Sequence, residues 1–334
     1  MMGRTTGYFL VVGLVAGSSA MAATQVSGEP LQWLKRMIEA RRTVSYEGDF
    51  VYLHSGQITT LHIVRQAEPG GDRERLIALD GPMREVVRDR ERVTCTLPKG
   101  KPLVADTHHL PDGALSENLS QHLDEVMAHY DLTPNHPDRV AGREVWSLEI
   151  RPRDALRYGH RLWLDMATGL LLKSELIGKR GNTLEEIMFT QVTVLPTIPA
   201  GHLESSTVGL LPALHTSVTT TTASDEPLRW TVERLPPGFR LEGREHHPLG
   251  LKGVTPAQQF VYSDGLATVS VFIEHTPADH EAVSGPSRRG GLNAYGTRYK
   301  DWQVTVVGEV PEATVEMIGT SLRRHDPLEE TTKQ

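Results

Sequence analysis

Residues 158–194 read YGHRLWLDMATGLLLKSELIGKRGNTLEEIMFTQVTV, and this stretch decides the fold. Three apolar-rich runs are separated by two turn signals, Asp165-Met166-Ala167-Thr168-Gly169 and Gly178-Lys179-Arg180-Gly181-Asn182. Consecutive antiparallel strands joined by tight turns have this form, so the stretch predicts a β meander. Side chains alternate across a strand. Leu162 and Leu164 then oppose Trp163, and Leu170, Leu172 and Leu176 oppose Leu171, Lys173 and Glu175. A sheet with one wet face reads apolar on one side only. Large apolar groups on both sides predict that one face is packed and the other is covered or holds something greasy.

Outward from the meander, the N-terminus carries Arg4, an apolar run over 8–15 and the small-x-small triplet Ala20-Met21-Ala22. That is the form of a secretory signal peptide over residues 1–22, cut after Ala22. Its apolar core is far shorter than the roughly 20 residues a spanning helix needs. The mature chain is therefore expected outside the cytoplasm, which in a cell with two membranes means the periplasm. The formal net charge of −7 disfavours nucleic acid, which calls for a basic face. The single cysteine forbids an internal disulfide; Cys95 lies in an alternating run and reads as a small buried apolar residue.

Before the meander, Pro30 followed by Leu31, Leu34, Met37 and Ile38 gives an amphipathic first helix ending near Arg41-Arg42. Alternating runs over 44–52, 58–64, 75–79, 83–88, 92–97, 103–105 and 144–150 predict further strands of one large antiparallel sheet. Ser116 is placed to cap a second helix with Leu119, Leu123, Val126, Met127 and Tyr130 on one face. The region 134–137 reads as a turn. From 195 to 227 prolines and a Ser/Thr run without amphipathic period predict an interdomain linker. Beyond it, Ser263-Asp264-Gly265 is a hairpin signal, 285–296 reads as a Gly-rich loop, and Pro311 opens a helix with Val315, Ile318 and Leu322 on one face. The expected division is 1–22 signal peptide, 23–195 first domain, 196–226 linker, 227–325 second domain of small α+β type, and 326–334 tail.

Fifteen histidines raise the question of a metal or a catalytic site. His108-His109 and His246-His247 are neighbours whose rings diverge in a strand, and His122 and His129 stand two turns apart on a helix. His280-Glu281 lacks the second histidine of a zinc-protease signature, since Ser284 stands there. Nucleophile-elbow, dinucleotide, phosphate-loop, S-x-x-K and C-x-x-C patterns are missing. No catalytic residue, metal site or cofactor is predicted, and the chain reads as a non-enzyme. A hydrolase reading rests only on the abundance of Ser and His. Arg288-Arg289, flanked by glycines, is a candidate for binding an anion or an acidic partner.

Several stretches together resemble the RseB/MucB family of periplasmic negative regulators of the sigma-E envelope-stress response. In the first domain they are WLKRMIEAR at 33–41, YEGDFVY at 46–52 and RLWLDMATGL at 161–170. In the second they are LPPGF at 235–239, YSDGL at 262–266, VSVF at 269–272 and VVGEVP at 306–311. The resemblance implies a mainly β (α+β) protein. Its first domain would be a LolA/LppX-like half-open β-barrel with helices on the concave face, beside a smaller C-terminal α+β domain. It implies binding, chiefly through the second domain, to the periplasmic segment of a RseA/MucA-type membrane anti-sigma factor. The partner would be shielded from site-1 proteolysis and released when lipopolysaccharide or another acyl lipid is sensed. Met37, Ile38, Phe50, Tyr52, Trp146, Trp163, Leu170 and Leu172 are the candidate lipid-cavity residues, and Arg288 and Arg289 the candidate partner contacts. A homo-oligomer is compatible with the sequence. The alternative is a LolA-type periplasmic carrier of lipid or lipoprotein, for which the second domain has no evident use.

Overall fold

The computed structural model describes residues 30–69, 71–89, 92–96, 117–199, 201–205, 213–217, 230–247, 257–276 and 283–325. The signal peptide, the strand expected at 103–105, the cap at Ser116, the side chain of Cys95, His108, His109, His280, much of the linker and the tail lie outside them.

The first helix, α1 (Pro30–Thr43), buries Trp33, Leu34, Met37, Ile38 and Ala40, a stripe at helical spacing. Arg41 and Arg42 in its last turn complement the helix dipole. The chain then forms β1 (Ser45–His54) and β2 (Gln57–Gln66), joined through Ser55 at φ 52 and Gly56 at φ 75. Two successive left-handed residues match the twist of a two-residue hairpin. β3 (Arg73–Ala78), β4 (Glu85–Asp89) and β5 (Arg92–Thr96) continue the meander, and α2 (Glu117–Met127) follows.

The region 134–137, expected as a turn, lies between two further strands, β6 (Tyr130–Pro134) and β7 (Asp138–Val140). Tyr130 is not on the helix: α2 stops at Met127, and Tyr130 opens β6. β8 (Arg143–Pro152), β9 (Gly159–Asp165), β10 (Leu171–Ile177) and β11 (Thr183–Leu195) complete the predicted meander. Part of the stretch read as linker is a strand, β12 (Ala213–Ser217), paired along β5. It supplies backbone partners to a strand that would otherwise leave its edge open.

The first sheet has twelve strands in the order β12-β5-β4-β3-β2-β1-β11-β10-β9-β8-β6, with β7 paired to β8. It ends at β12 and β6 rather than closing on itself. This is the large antiparallel sheet predicted from the alternating runs, in the half-open, mainly β arrangement that the family resemblance implies.

The second domain holds β13 (Trp230–Val232), β14 (Arg240–His247), β15 (Ala257–Ser263), β16 (Thr268–His275), β17 (Gly285–Arg289), β18 (Leu292–Tyr299), β19 (Trp302–Gly308), α3 (Glu312–Thr320) and β20 (Leu322–Arg324). Six of these strands form one sheet, β14-β15-β16-β19-β18-β17, and β13 pairs with β20. The stretch 285–296, expected as a Gly-rich loop, is the β17–β18 hairpin turning at Gly290-Gly291. α3 ends before Leu322, which lies in β20 but packs in the same core as Val315 and Ile318.

Candidate functional site

Two apolar clusters occupy the first domain. Trp33, Leu34, Met37 and Ile38 of α1 meet Leu119 and Val126 of α2 over Leu148, Ile150, Leu162, Leu164 and Leu171 of the sheet. A second cluster joins Tyr46, Phe50, Ile63, Val140, Val145, Trp163, Leu170, Leu172 and Phe189. The two-sided pattern of the meander is therefore occupied on both sides.

Leu171 and Lys173 were expected to share a face. The register slips between them, so Leu171 stands opposite Leu164 and Lys173 opposite Trp163. A bulge of this kind re-aims the side chains that flank it. Lys173 Nζ accordingly lies 4.6 Å from the centre of the Trp163 ring, and Trp163 Nε1 donates to Asp138 Oδ2 at 3.2 Å.

The eight cavity candidates divide between the clusters. Met37 and Ile38 are buried under α1, and the partly buried Trp146 packs against the same group. Phe50, Trp163, Leu170 and Leu172 are buried in the other, with Tyr52 packed against it. Trp33 and Trp146 meet edge to face with ring centres 5.8 Å apart. Both indole Nε1 atoms are buried without an acceptor among the described residues. Buried donors are nearly always paired, so two orphans in one apolar group mark a place where an acceptor is wanted. Arg288 and Arg289 are exposed on β17, the last strand of its sheet.

Sequence reasoning missed the junction between the domains. The turn after β15 places Asp264 against the first domain, and Leu266 joins the α1–α2 cluster. Asp264 Oδ1 accepts from Leu266 N at 3.0 Å and Ala267 N at 2.8 Å. Its Oδ2 accepts from Tyr130 Oη at 2.8 Å and from Arg157 Nη1 at 2.5 Å. Arg157 also donates to Pro237 O at 2.6 Å and pairs with Asp154 at 3.0 Å. Its guanidinium stands 5.5 Å from the Tyr130 ring centre and 5.4 Å from that of Phe239. Both side chains of the Arg157–Asp264 pair are fully buried.

Burial, and then the Asp264 carboxylate, holds the Tyr130 hydroxyl well above the usual phenol range, so it stays a donor. Burial opposes the Arg157 charge, but Asp264, Tyr130 and Asp154 together outweigh it, and the guanidinium is held more firmly protonated. His160 nearby is pushed down to about 4 by burial, which Asp264 only partly offsets.

A second polar seam runs alongside. Glu185 accepts from Tyr52 Oη at 2.8 Å and from Gly291 N at 3.2 Å, and lies 3.0 Å from His54 Nδ1. Asn293 Nδ2 donates to Tyr158 Oη at 3.0 Å, and Thr314 Oγ1 donates to Leu156 O at 2.6 Å. Among the described residues no group of His, Cys, Asp and Glu could hold a metal ion. No described helix is long and apolar enough to cross a membrane.

Family models described as the MucB/RseB N-terminal domain and the MucB/RseB C-terminal domain match residues 29–207 and 224–323. The chain is 34% identical to the sigma factor AlgU regulatory protein MucB of Pseudomonas aeruginosa, over 96% of this chain and 98% of that protein. It is 25% identical to the sigma-E factor regulatory protein RseB of Escherichia coli K12, over 94% and 96%. Among solved structures, MucB in complex with MucA(peri) matches with a TM-score of 0.68 and 33% identity, covering 88% of this chain and 98% of that one. MucB alone gives 0.67 and 33%, covering 90% and 99%.

Proposed function

The chain belongs to the MucB/RseB family, and on that premise we propose that it regulates a sigma factor by holding the periplasmic segment of a MucA/RseA-type membrane anti-sigma factor. The observation that carries this reading is the likeness, over both domains, to MucB solved in complex with MucA(peri). The chain is read as a binding protein rather than an enzyme. It acts in the periplasm after removal of residues 1–22, and it protects its partner from site-1 proteolysis until lipopolysaccharide or another acyl lipid promotes release.

Release needs lipid and partner to favour different arrangements of the same molecule, since a ligand with equal affinity for both shifts nothing. The helix-covered cluster offers a reason for lipid to bind there. An acyl ester presents a carbonyl oxygen beside a hydrocarbon chain, and the Trp33 and Trp146 N–H groups, amid Leu, Met and Ile, have no acceptor among the described residues. Leu266 of the second domain packs in that cluster, so a chain entering it pushes on the junction that orients the two domains. Arg288 and Arg289 on β17 are the partner contacts of this reading.

The test is a titration of the mature chain against the anti-sigma segment, with and without lipopolysaccharide. Tight binding that lipid reverses is the expected result. Unchanged affinity in the presence of lipid sinks the release step, and failure to bind the segment at all sinks the regulatory reading.

A further inference from the structure

Among the most exposed large apolar side chains, three stand at one end of the first sheet: Ile58 at 66% exposure, Leu79 at 54% and Met83 at 48%. Ile58 follows the β1–β2 turn. Leu79 N donates to Thr60 O at 2.9 Å and Thr60 N to Asp80 Oδ2 at 2.7 Å, which ties the β3–β4 turn beside it. The pairing of His54 with Glu185 brings the β10–β11 turn, with exposed Lys179 and Arg180, to the same end. The β17–β18 turn of the second domain arrives there as well: Gly290 lies against His54 and Ser55, and Gly291 against Leu176 and Glu185. It brings the exposed Arg288 and Arg289, and Arg84 is exposed next to Met83.

Single exposed apolar side chains are ordinary, but apolar groups gathered on neighbouring hairpin tips and bordered by cations are not. Two acids stand beside this rim, the exposed Asp80, which accepts from Thr60 N, and the buried Glu185, which accepts from Tyr52 and Gly291, against the five cations Arg84, Lys179, Arg180, Arg288 and Arg289. In a chain of net charge −7, the local excess of positive charge is set against the global sign and so gives a preferred orientation towards an anionic surface.

We propose that this rim docks on the surface of an anionic lipid bilayer. Ile58, Leu79 and Met83 enter the boundary between headgroups and acyl chains, while Arg84, Lys179 and Arg180 lie against phosphate and Arg288 and Arg289 are left to the partner. Interfacial binding of this kind sums buried apolar area and attraction to anionic lipid. The inference goes beyond the regulatory reading, because it requires no anti-sigma factor and uses no residue of either apolar cluster.

The test is co-sedimentation of the mature chain with vesicles of equimolar phosphatidylglycerol and phosphatidylcholine, and with vesicles of phosphatidylcholine alone. Binding is expected to the anionic vesicles only and to weaken as salt is raised. Each cation near such a surface contributes about fivefold, so K179Q/R180Q should weaken binding roughly 25-fold. I58S/M83S should weaken it at least about tenfold through lost apolar burial. Both variants alter exposed residues outside the partner contacts and should bind the anti-sigma segment as the parent does. Equal binding to the two vesicles, no binding, or parent-like behaviour of both variants overturns the proposal. Uptake of acyl chains into the first domain would neither follow vesicle charge nor respond to the hairpin tips, so it counts against docking.

Discussion

Replacing Asp264 by Asn leaves the shape of the junction intact and removes its charge. One oxygen remains to accept from Leu266 N and Ala267 N, as Oδ1 does now. The other position becomes an amide N–H₂ facing two donors, Tyr130 Oη and Arg157 Nη1. Arg157 keeps Asp154 and Pro237 O but loses its fully buried counter-ion. Removing one partner of a buried pair costs about 3–5 kcal/mol, because the remaining charge is stranded away from water. That is a large part of the 5–15 kcal/mol typical of a folded domain. Urea unfolding followed by tryptophan fluorescence should show the loss and, if the domains part first, a split into two transitions. Adding Arg157→Met removes the stranded charge, so D264N/R157M should be more stable than the two single losses summed, by about 1–3 kcal/mol. A stability loss in D264N of less than about 0.5 kcal/mol, the scale of an exposed pair, would refute the claim that this pair is dry.

Three further outcomes follow from the same geometry. Trp146→Phe should weaken binding of an acyl ester about 2–10-fold by deleting one hydrogen bond of about 0.5–1.5 kcal/mol, and leave binding of a plain hydrocarbon chain of equal length unchanged; calorimetry with the two ligands separates these. Gly169→Ala should lower the melting temperature, because Gly169 has φ +82 and an added Cβ would lie 2.8 Å from Arg36 O. The left-handed conformation alone costs about 1–2 kcal/mol, and an unchanged melting curve would count against it. His160 sits at about 4 in the folded chain against 6.5 normally. Between those values the unfolded chain holds more protons, so stability falls as pH drops through that window and levels off below 4. The loss is at most about 3 kcal/mol, and His160→Gln should flatten that part of the pH profile in denaturation measurements.

The local grammar of this sequence was legible because it is local. Asp165 to Gly169 and Gly178 to Asn182 announce their turns with glycine, and the Leu34, Met37, Ile38 stripe announces α1 by its period. The β17–β18 hairpin was misread as a Gly-rich loop: Gly290-Gly291 is a two-residue hairpin signal, but the density of nearby glycine hid it. Concave and convex sides were beyond reach because one bulge, between Leu171 and Lys173, reverses the side on which everything beyond it lies. The junction was hidden for a different reason. Asp264 is a routine turn residue in its own neighbourhood, and its partners Arg157 and Tyr130 stand 107 and 134 positions away. Pairing at that separation leaves no periodicity to read.

The chemistry of the junction also bears on how the domains are held. Leu266 packed in the α1–α2 cluster supplies attraction without direction, since apolar burial scales with area and tolerates rotation. The Asp264 carboxylate supplies direction, because its two oxygens serve four donors from two domains in one geometry. A buried ion pair adds little net stability relative to a well-packed apolar substitute, yet is expensive to break once formed. Such a contact selects one orientation over its neighbours more strongly than it holds the domains together. The double replacement D264L/R157M should therefore keep the domains associated while widening the spread of their orientations, seen by small-angle scattering. Domains that separate outright in that variant would show that the charges, and not Leu266 and its surroundings, supply the attraction.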